Sequence, residues 1–574
     1  MALDERAETS ALPAERRGQR PIRFGIMARS TTLRRWQADV VLRLMDLDDV
    51  RPALLVIDAR PPPPRGAKDR VERLVRSPTA LWDAYNNGWV ARRSAALRPV
   101  DLADVLGALP RVDVLVDKQG FSERFPAGAV DEIRAHDLDF ILRFGFGIIR
   151  GPVLESARHG VWSFHHDDDD AYRGSPPAFW EIVDGVPVTG AILQQLTDRL
   201  DGGVVLEKGW FPTTAHSYVR NTDAVHLGGA DWPARAVERL RVEGDLSFGH
   251  PSRSVAPISK APSNRRAASF LLGQGARFLR SQVGSLTYAD QWEVGVVHDP
   301  IHRFLDPTYV PQVQWQGLGQ PGTAYAADPF VVEVDGAPHV LYERYDAARR
   351  HGEIWEARLG DPSTARPAGL PVDAHASYPY VFTHEGETYC LPQVSADGVP
   401  LFRRADDGWV HHGDLLPGGQ VLDPTIVVHE SRLWLFGTRP GRDSLTKLHL
   451  WSADRLEGPW RAHPANPVKT DVRSARPAGT PFVHEGRMIR PAQDCAGGYG
   501  AAVALCEVTV LDEHRFAEEV VRVVTPSPSW PFARGIHTLA AHGNLTVLDA
   551  RTRVFDRHET MAELRGRVSR RSHR

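Results

Sequence analysis

Several features of the common protein classes are missing from this chain of 574 residues. Its three cysteines, Cys390, Cys495 and Cys506, cannot build a disulfide framework, and no CxxC pair indicates zinc. No apolar run approaches the roughly 18 residues that cross a bilayer, and residues 1–20 lack the apolar segment of a signal peptide. The 69 basic and 72 acidic residues give a net charge of −3, which provides no overall field for nucleic acid or an acidic membrane. We therefore expect a cytoplasmic protein of two large domains.

The first half alternates short apolar runs with stretches of helical periodicity. The runs RFGIMA (23–28), ALLVID (53–58), VDVLVD (112–117) and DFILRFGFGII (139–149) are typical of buried strands. Strands that alternate with helices predict an α/β fold with a mainly parallel, Rossmann-like sheet. No GxGxxG follows the first run, so a dinucleotide site is weakly supported.

The second half contains five similar segments, each with a strand, a polar turn and a second strand. They begin 45 to 57 residues apart and cover 327–343, 377–393, 422–438, 479–494 and 535–550. Periods of this length are typical of four-stranded propeller blades, so we predict an all-β five-bladed propeller. A β-sandwich with chance similarity is the alternative.

The change in composition and hydrophobic periodicity along the chain predicts the domain boundaries. Residues 1–20 form a polar tail, and 21–245 form the α/β domain. Residues 246–287 form a Pro/Ser-rich linker with a short amphipathic helix. The propeller then occupies 288–560, and a basic tail occupies 561–574.

Residues 139–206 carry the motifs of a known enzyme family, in the order in which that family has them. These motifs are Phe146-Gly147-Ile148, Trp162-Ser163-Phe164-His165, Tyr172-Arg173-Gly174, Val188-Thr189-Gly190 and Leu200-Asp201-Gly202-Gly203. The stretch resembles the formyltransferases of methionyl-tRNA, glycinamide ribonucleotide and amino sugars. The resemblance covers roughly residues 20–240 and implies transfer of a formyl group from 10-formyltetrahydrofolate to an amine.

The resemblance also implies roles for individual residues. His165 would act as the general acid/base, and Asp201 would orient it. Ser163 stands where the family has an asparagine, and its shorter hydroxyl would be a substitute donor to the oxyanion. A further set would bind the folate donor: Phe144, Phe146, Gly147, Ile148 and Asp198.

An unusual acidic loop, His166-Asp167-Asp168-Asp169-Asp170, follows the predicted catalytic histidine. Two histidines and several aspartates suggest a metal site, but adjacent residues of an extended chain point to opposite sides. We therefore predict no metal and a solvated loop at the mouth of the cleft, which would attract a cationic amine. His166 and Arg173 are candidates for binding the acceptor.

The repeats resemble the propellers of arabinanases and β-xylosidases, and more closely the N-terminal module of plant glucosamine inositolphosphorylceramide transferases. Asp328 and Asp423 match two carboxylates that meet at the axis in the hydrolases, but the third, a glutamate, is missing near Arg476. This departure argues against hydrolysis and for an axial pocket that binds an anionic glycan. Glu343, Arg476 and Arg490 would line it. Alternatively, the two Asp-Pro pairs only turn the chain.

The combined prediction is an N-formyltransferase whose propeller binds a sugar-containing acceptor. Amino sugars, glycan precursors and secondary metabolites are candidate acceptors, and we expect no nucleic-acid partner. Two rival hypotheses remain. In one, the propeller processes or binds glycans and the first domain is degenerate. In the other, the protein is a scaffold in polysaccharide assembly with no activity.

Overall fold

The structure, a computed structural model, describes residues 20–61, 77–199, 202–320, 323–406 and 408–555. The two predicted tails, 1–20 and 561–574, lie outside the described residues except for Arg20. Asp201 lies outside them as well.

An eight-stranded sheet organises the N-terminal part. Its strands are β1 (Ile22–Ala28), β2 (Val50–Asp58), β3 (Arg111–Val114), β4 (Phe140–Arg143), β5 (Val161–His165), β6 (Val188–Gln195), β7 (Val204–Pro212) and β8 (His250–Pro251). In space they run β8-β7-β6-β5-β4-β1-β2-β3. The strands from β3 to β5 are parallel, as predicted, whereas β5 to β8 pair antiparallel, so the sheet as a whole is mixed. A short connection joins β6 to β7 and allows only antiparallel pairing.

Five longer helices accompany this sheet. They are α1 (Arg35–Met45), α2 (Ala127–Ala135), α3 (Tyr218–Gly228), α4 (Trp232–Glu243) and α5 (Asn264–Thr287). On one face, the rings of Phe24, Phe140 and Trp162 from β1, β4 and β5 stack with centroids 5.5 and 4.0 Å apart. The same core includes buried residues of α1, α3 and α4. Of the helices in the described ranges, none is long and apolar enough to span a membrane.

Shorter elements complete this part. Single helical turns cover Ala80–Ala84, Tyr85–Val90, Ala91–Arg93, Ala103–Leu106, Pro152–Glu155, Trp180–Asp184 and, after α5, Ile301–Leu305. Three small sheets pair Thr32–Arg34 with Pro99–Asp101, Arg173–Gly174 with Ile258–Ser259, and Asp117–Gln119 with Ser122–Arg124 and Ile148–Arg150.

The second half consists of five antiparallel sheets. The first contains Ala324–Val334, Ala337–Asp346, His351–Arg358 and Asp361–Pro367, and the second contains Ala376–His384, Glu387–Val394, Pro400–Ala405 and Gly408–Asp414. The third contains Leu422–His429, Arg432–Thr438, Lys447–Ala453, Arg461–Ala462 and Lys469–Thr470. The fourth contains Phe482–His484, Arg487–Asp494, Ala502–Leu511 and Phe516–Val524. The fifth contains Gln314–Trp315, Tyr288–Val297, Leu545–Phe555 and Leu539–His542.

Each of the five predicted repeats falls in one of these sheets. Their first hairpins turn at pairs such as Asp335-Gly336, Glu385-Gly386 and Glu485-Gly486, where both residues have positive φ. Such turns match the twist of paired strands. The fifth sheet joins the first and last strands of this half, Tyr288–Val297 and Leu545–Phe555. The number of blades in a closed ring stays a prediction.

The two halves share a buried polar contact. Lys447 of the third sheet donates to Asp231 at 2.9 Å, and both side chains are less than a tenth exposed. Arg235 of α4 donates to Thr470 and to the carbonyl of Val468. Because a buried charge without its partner is costly, these pairs fix how the halves meet.

Candidate functional site

A cleft of about 730 Å³ opens at the carboxyl ends of β1, β4 and β5. Open α/β sheets bind ligands at this edge, because the strand ends leave side chains and loops facing one crevice. Its aromatic walls come from different elements, namely Trp36, Phe144, Phe146 and Phe164.

The turn after β4 forms one wall and contains three of the predicted folate-binding residues. Phe146 adopts a left-handed φ of 63°, and the Gly147 amide donates to Glu123 at 2.6 Å. A Cβ at Gly147 would lie 2.8 Å from an oxygen of Glu123, so only glycine fits. Arg60 in turn donates to Glu123 and holds this carboxylate in place. Phe144, Phe146 and Gly147 line the cleft.

The remaining two predicted folate-binding residues lie beyond this turn. Ile148 is 38% exposed and is not among the residues that line the cleft. Asp198 accepts from the Gly151 amide at 2.9 Å, and its carbonyl accepts from Arg150. Asp198 therefore stabilises the chain after the turn.

Ser163 faces the cleft together with a buried guanidinium. Arg143 donates to the Ser163 hydroxyl from Nη2 at 2.8 Å and from Nε at 3.1 Å, and also donates to the Gly147 carbonyl. Burial lowers the pKa of Arg143. The Arg143 guanidinium therefore lies directly beside the Ser163 hydroxyl.

His165 lies at the end of β5, close to the acidic loop. Its Nε2 is 3.1 Å from the Tyr172 carbonyl and 3.9 Å from Asp167 Oδ2. It is not among the residues that line the cleft. Its predicted pairing with Asp201 lies outside the described residues.

His166, the next residue, lines the cleft and stacks on His226 of α3 with ring centroids 3.8 Å apart. Its Nε2 is buried and has no hydrogen-bond partner among the residues that the structure describes. Burial, followed by the neighbouring His226, lowers the pKa of His166 well below its usual value. Burial also lowers the pKa of His226, to about 4. Both rings are therefore neutral at pH 7.

The acidic loop is not the solvated segment that we predicted. Asp167 and Asp169 are 2% and 5% exposed. Lys208 of β7 places its ammonium 2.7–2.8 Å from carboxylate oxygens of Asp168, Asp169 and Asp170. The Lys208 ammonium thus forms ion pairs with three consecutive carboxylates of the loop.

Two further groups complete the surroundings of the loop. Burial, then the neighbouring Glu181, raises the pKa of Asp167. Arg173 donates to the carbonyl of Ala256, and it is not among the residues that line the cleft. An acceptor bound in the cleft would therefore meet His166 before Arg173.

A second polar site, the central cluster, joins strand residues of the first, third and fifth sheets with two loop residues: Asp328, Asp423, Asp549, Arg476 and His537. His537 Nδ1 is 2.6 Å from Asp549, and the Asp328 amide donates to Asp549 at 2.8 Å. Burial raises the pKa of Asp328 to about 6, although the positive charge of His537 opposes this shift. Burial lowers the pKa of His537, but Asp549 and Asp328 more than offset it, so this pKa is raised.

The other half of the cluster is an ion pair. Arg476 Nε lies 2.5 Å from Asp423 Oδ2, and its Nη2 lies 3.0 Å from Oδ1. Gln493 donates to the same carboxylate, and Gln393 accepts from the Asp423 amide. The ring of Tyr499, 41% exposed, lies over this pair, 5.5 Å from the guanidinium.

Glu343 and Arg490 were also predicted for this site. Burial, then Asp328 and Asp423, raises the pKa of Glu343, which places it near both carboxylates. Arg490 instead donates to Glu518 at 2.6 Å and to the Ser474 carbonyl. Its guanidinium is therefore held by its own partners.

Sequence reasoning missed several residues at both sites. These are Trp36, Arg143 and His226 in the cleft, and Gln493, Tyr499, His537 and Asp549 in the central cluster. His537 lies in the weakest of the five repeats, and aligning that repeat with the others would have placed it at a blade start. No local signal pointed to His226, which lies 60 residues from its stacking partner.

Comparisons with known proteins point to two groups. A family model described as glucosamine inositolphosphorylceramide transferase 1, N-terminal, matches residues 313–534. The transferase of this name from Oryza sativa subsp. japonica is 30% identical over 210 residues, which is 35% of this chain and 28% of that protein. Methionyl-tRNA formyltransferase from Methylobacillus flagellatus is 28% identical over 130 residues, 22% of this chain and 42% of that protein. The chain thus spans well under half of either relative.

Two solved structures are similar at low TM-scores. Zg3597, a family 117 glycoside hydrolase from Zobellia galactanivorans, has a TM-score of 0.29 and 17% identity, covering 45% of this chain and 90% of that one. Glycinamide ribonucleotide transformylase 1 from Symbiobacterium toebii has a TM-score of 0.26 and 16% identity, covering 39% and 88%.

Proposed function

We propose that the N-terminal part transfers a formyl group from 10-formyltetrahydrofolate to an amine. The proposal rests on the cleft at the strand ends. There the neutral imidazole of His166, with an unpartnered nitrogen, lines the same cavity as the Ser163 hydroxyl and the Arg143 guanidinium. The similarity to methionyl-tRNA formyltransferase supports the same reaction class.

The cleft has the properties that a folate donor requires. Its volume of about 730 Å³ lies within the range of small-molecule sites, and aromatic side chains form its walls. The buried Nε2 of His166 offers a hydrogen bond that the described residues do not satisfy. Phe144, Phe146 and Gly147 would hold the donor, which supplies the formyl group.

His166 would receive a proton from the acceptor amine as the amine nitrogen bonds to the formyl carbon, and would pass it to the folate nitrogen as the bond from that nitrogen to the formyl carbon breaks. Its lowered pKa keeps the ring neutral at pH 7, so that Nε2 can accept a hydrogen bond or a proton. Ser163 and Arg143 would donate to the carbonyl oxygen on which negative charge develops. The family resemblance instead implies that His165, oriented by Asp201, transfers this proton, and substitution of each histidine separates the two assignments.

We further propose that the β-rich part binds a sugar-containing acceptor at the central cluster. Tyr499 offers a partly exposed ring for a sugar face, beside the guanidinium of Arg476. The relatives matched at 313–534 are named for glucosamine and a phosphorylceramide, which supports an amino-sugar glycan as the acceptor class.

A second candidate function is glycan processing at the central cluster. Asp328 has a pKa raised to about 6, while Asp423 is paired with Arg476. Two carboxylates in different environments, one with a raised pKa and one paired with a cation, are typical of sites that cleave a glycosidic bond by acid/base catalysis. Asp328→Asn would abolish such an activity and leave formyl transfer intact.

The experiment combines binding and turnover. The full chain, His165→Ala and His166→Ala would be titrated with 5-formyltetrahydrofolate by calorimetry. They would then be assayed with 10-formyltetrahydrofolate and a panel of amino sugars and aminated nucleotide sugars. We expect all three to bind the folate, and His166→Ala to lose about 10²–10⁴-fold in rate.

Each other outcome has a defined meaning. A comparable loss in His165→Ala alone would return the proton transfer to His165. Failure of the unaltered chain to bind the folate would contradict the proposed donor.

A further inference from the structure

Helix α5, the 24 residues Asn264–Thr287, uses only one side to contact the N-terminal part. Ala267 and Phe270 are buried in a cluster with Trp82 and Phe179. On the same side, Gln274 donates to the Tyr85 hydroxyl at 3.2 Å, and Arg277 donates to the Ala215 carbonyl at 2.8 Å. These contacts hold one side of the helix against the N-terminal part.

The opposite face carries an apolar stripe, Leu272, Ala276, Leu279 and Val283. Leu272, Leu279 and Val283 are 76%, 65% and 59% exposed, and Ala276 is exposed as well. The spacing i, i+4, i+7 and i+11 aligns these side chains on one side of a helix. An exposed apolar stripe differs from the scattered apolar residues of an ordinary protein surface. Such a stripe is typical of a site that contacts another molecule or a membrane.

The segment of chain that contains the stripe has basic but no acidic residues. Residues 246–289 contain no aspartate or glutamate, although the whole chain has a net charge of −3. Their basic residues are Arg253, Lys260, Arg265, Arg266, Arg277 and Arg280. The side chains of the exposed Arg265 and Arg280 form no hydrogen bond or ion pair with other residues of the described ranges. Their charges are available to an anionic surface.

The end of the helix adds an aromatic pair. Tyr288 follows α5 directly, is 54% exposed, and pairs with Phe555, which is 64% exposed, at 6.4 Å between ring centroids. The sequence after Phe555, residues 556–574, contains six arginines and three acidic residues. Exposed aromatic and basic residues beside an apolar stripe are typical of segments that lie at a membrane–water interface.

We propose that α5 docks the protein on the surface of a membrane that contains anionic lipids, with the apolar stripe directed into the headgroup region. Charge decides between the possible occupants. The helix has four arginines and no acidic residue, so packing it against the same helix of a second copy would bring like charges together. Anionic lipid headgroups, in contrast, complement its positive charge. The helix would lie on the surface, because its other face is packed on the protein.

The test is flotation of the purified full chain with vesicles of phosphatidylcholine, alone or mixed with phosphatidylserine. We expect binding to the mixed vesicles that weakens as salt is added. Leu272→Gln/Leu279→Gln/Val283→Gln should lower this binding at least about tenfold, and Arg265→Gln/Arg280→Gln by a similar factor. The matched control is Val410→Gln/Val428→Gln/Val483→Gln, which alters three valines that are 52–69% exposed on the β-rich part. It should bind like the unaltered chain.

Thermal unfolding of each variant would show that it folds. Binding that is unaffected by the stripe substitutions, or no binding of the unaltered chain to mixed vesicles, would overturn the proposal. Sedimentation velocity would identify the alternative, since a dimer abolished by the stripe substitutions would assign the surface to a second copy. The outcome does not depend on the proposed formyl transfer.

Discussion

The cleft and the central cluster bury polar groups in opposite ways. In the cleft, two neutral imidazoles stack, and the Nε2 of His166 has no partner in the described part of the chain. In the central cluster, the carboxylates of Asp328, Asp423 and Asp549 each meet an arginine, a histidine or a backbone amide. A site that leaves a buried group unsatisfied can gain free energy from a ligand, whereas the central cluster already satisfies most of its own charges.

The same difference sets opposite responses to pH. For His226, the folded-state pKa of about 4 lies below the unfolded value, so the unfolded chain binds more protons and stability falls as pH falls from 6.5. For Asp328, the folded-state pKa of about 6 lies above the unfolded value. The folded chain then binds more protons, and acidification from pH 7 favours folding at this residue.

The largest expected effect comes from removing the cation of the central cluster. Arg476→Met should lower the free energy of unfolding by about 3–5 kcal/mol, because Asp423 would remain buried without its partner. Urea unfolding at pH 7 measures the change. The control Arg403→Met, at a residue with a 42% exposed side chain paired to the 53% exposed Glu387, should cost at most about 1 kcal/mol. Equal losses of unfolding free energy in Arg476→Met and in the control would contradict the expected difference between the buried ion pair and an exposed one.

An intermediate effect should appear in the cleft when pH is changed. Between pH 7 and pH 5, the unaltered chain should lose about 1–2 kcal/mol more stability than His226→Phe, because phenylalanine cannot take up a proton in the unfolded state. The carboxylates of the central cluster change stability with pH in the opposite direction, but they contribute equally in both proteins. Their contribution therefore cancels when the two changes in unfolding free energy are subtracted. Parallel pH profiles of the two proteins would show that the stacked pair does not stay neutral.

The smallest effect concerns one hydrogen bond of the central cluster. Thr538 donates to Asp328 at 2.8 Å, so Thr538→Val should destabilise the fold by about 1 kcal/mol and raise the pKa of Asp328 further. Urea unfolding at pH 5 and pH 8 checks both parts. Thr509→Val, at an exposed threonine, is the control and should be near neutral. A larger loss at Thr509 would argue against an important role for the Asp328 contact.

The period of the repeats predicted the sheets of the second half well, because a hairpin depends on neighbouring residues. Asp335-Gly336 and Glu385-Gly386 mark turns that any alternating pair of strands would form. The parallel strands β1 to β4 were predictable for the same reason, since each overlaps one of the four apolar runs. The antiparallel edge of that sheet was not predicted, because its direction depends on how the connections fold back.

The sequence around His165 and His166 could not show which of these two adjacent histidines faces the cleft. Alternation along β5 placed Ser163 and His165 on one side of the strand, as in the family motif. The strand ends at His165, however, and His166 enters the cleft from the loop that follows, where it meets His226 of α3. The aspartates of the loop looked solvated in the sequence, yet Lys208, 38 residues or more away, forms ion pairs with three of them.

The sequence by itself determined the strands, the turns and the repeat, because these depend on side-chain periodicity and on residues a few positions apart. It also determined the cationic, acid-free character of residues 246–289. Only the tertiary structure decided which charges are paired and which stay free. Arg476 meets Asp423 and His537 meets Asp549 across the sheets, while α5 keeps its leucines exposed, because burial and pairing depend on distances between segments far apart in the chain.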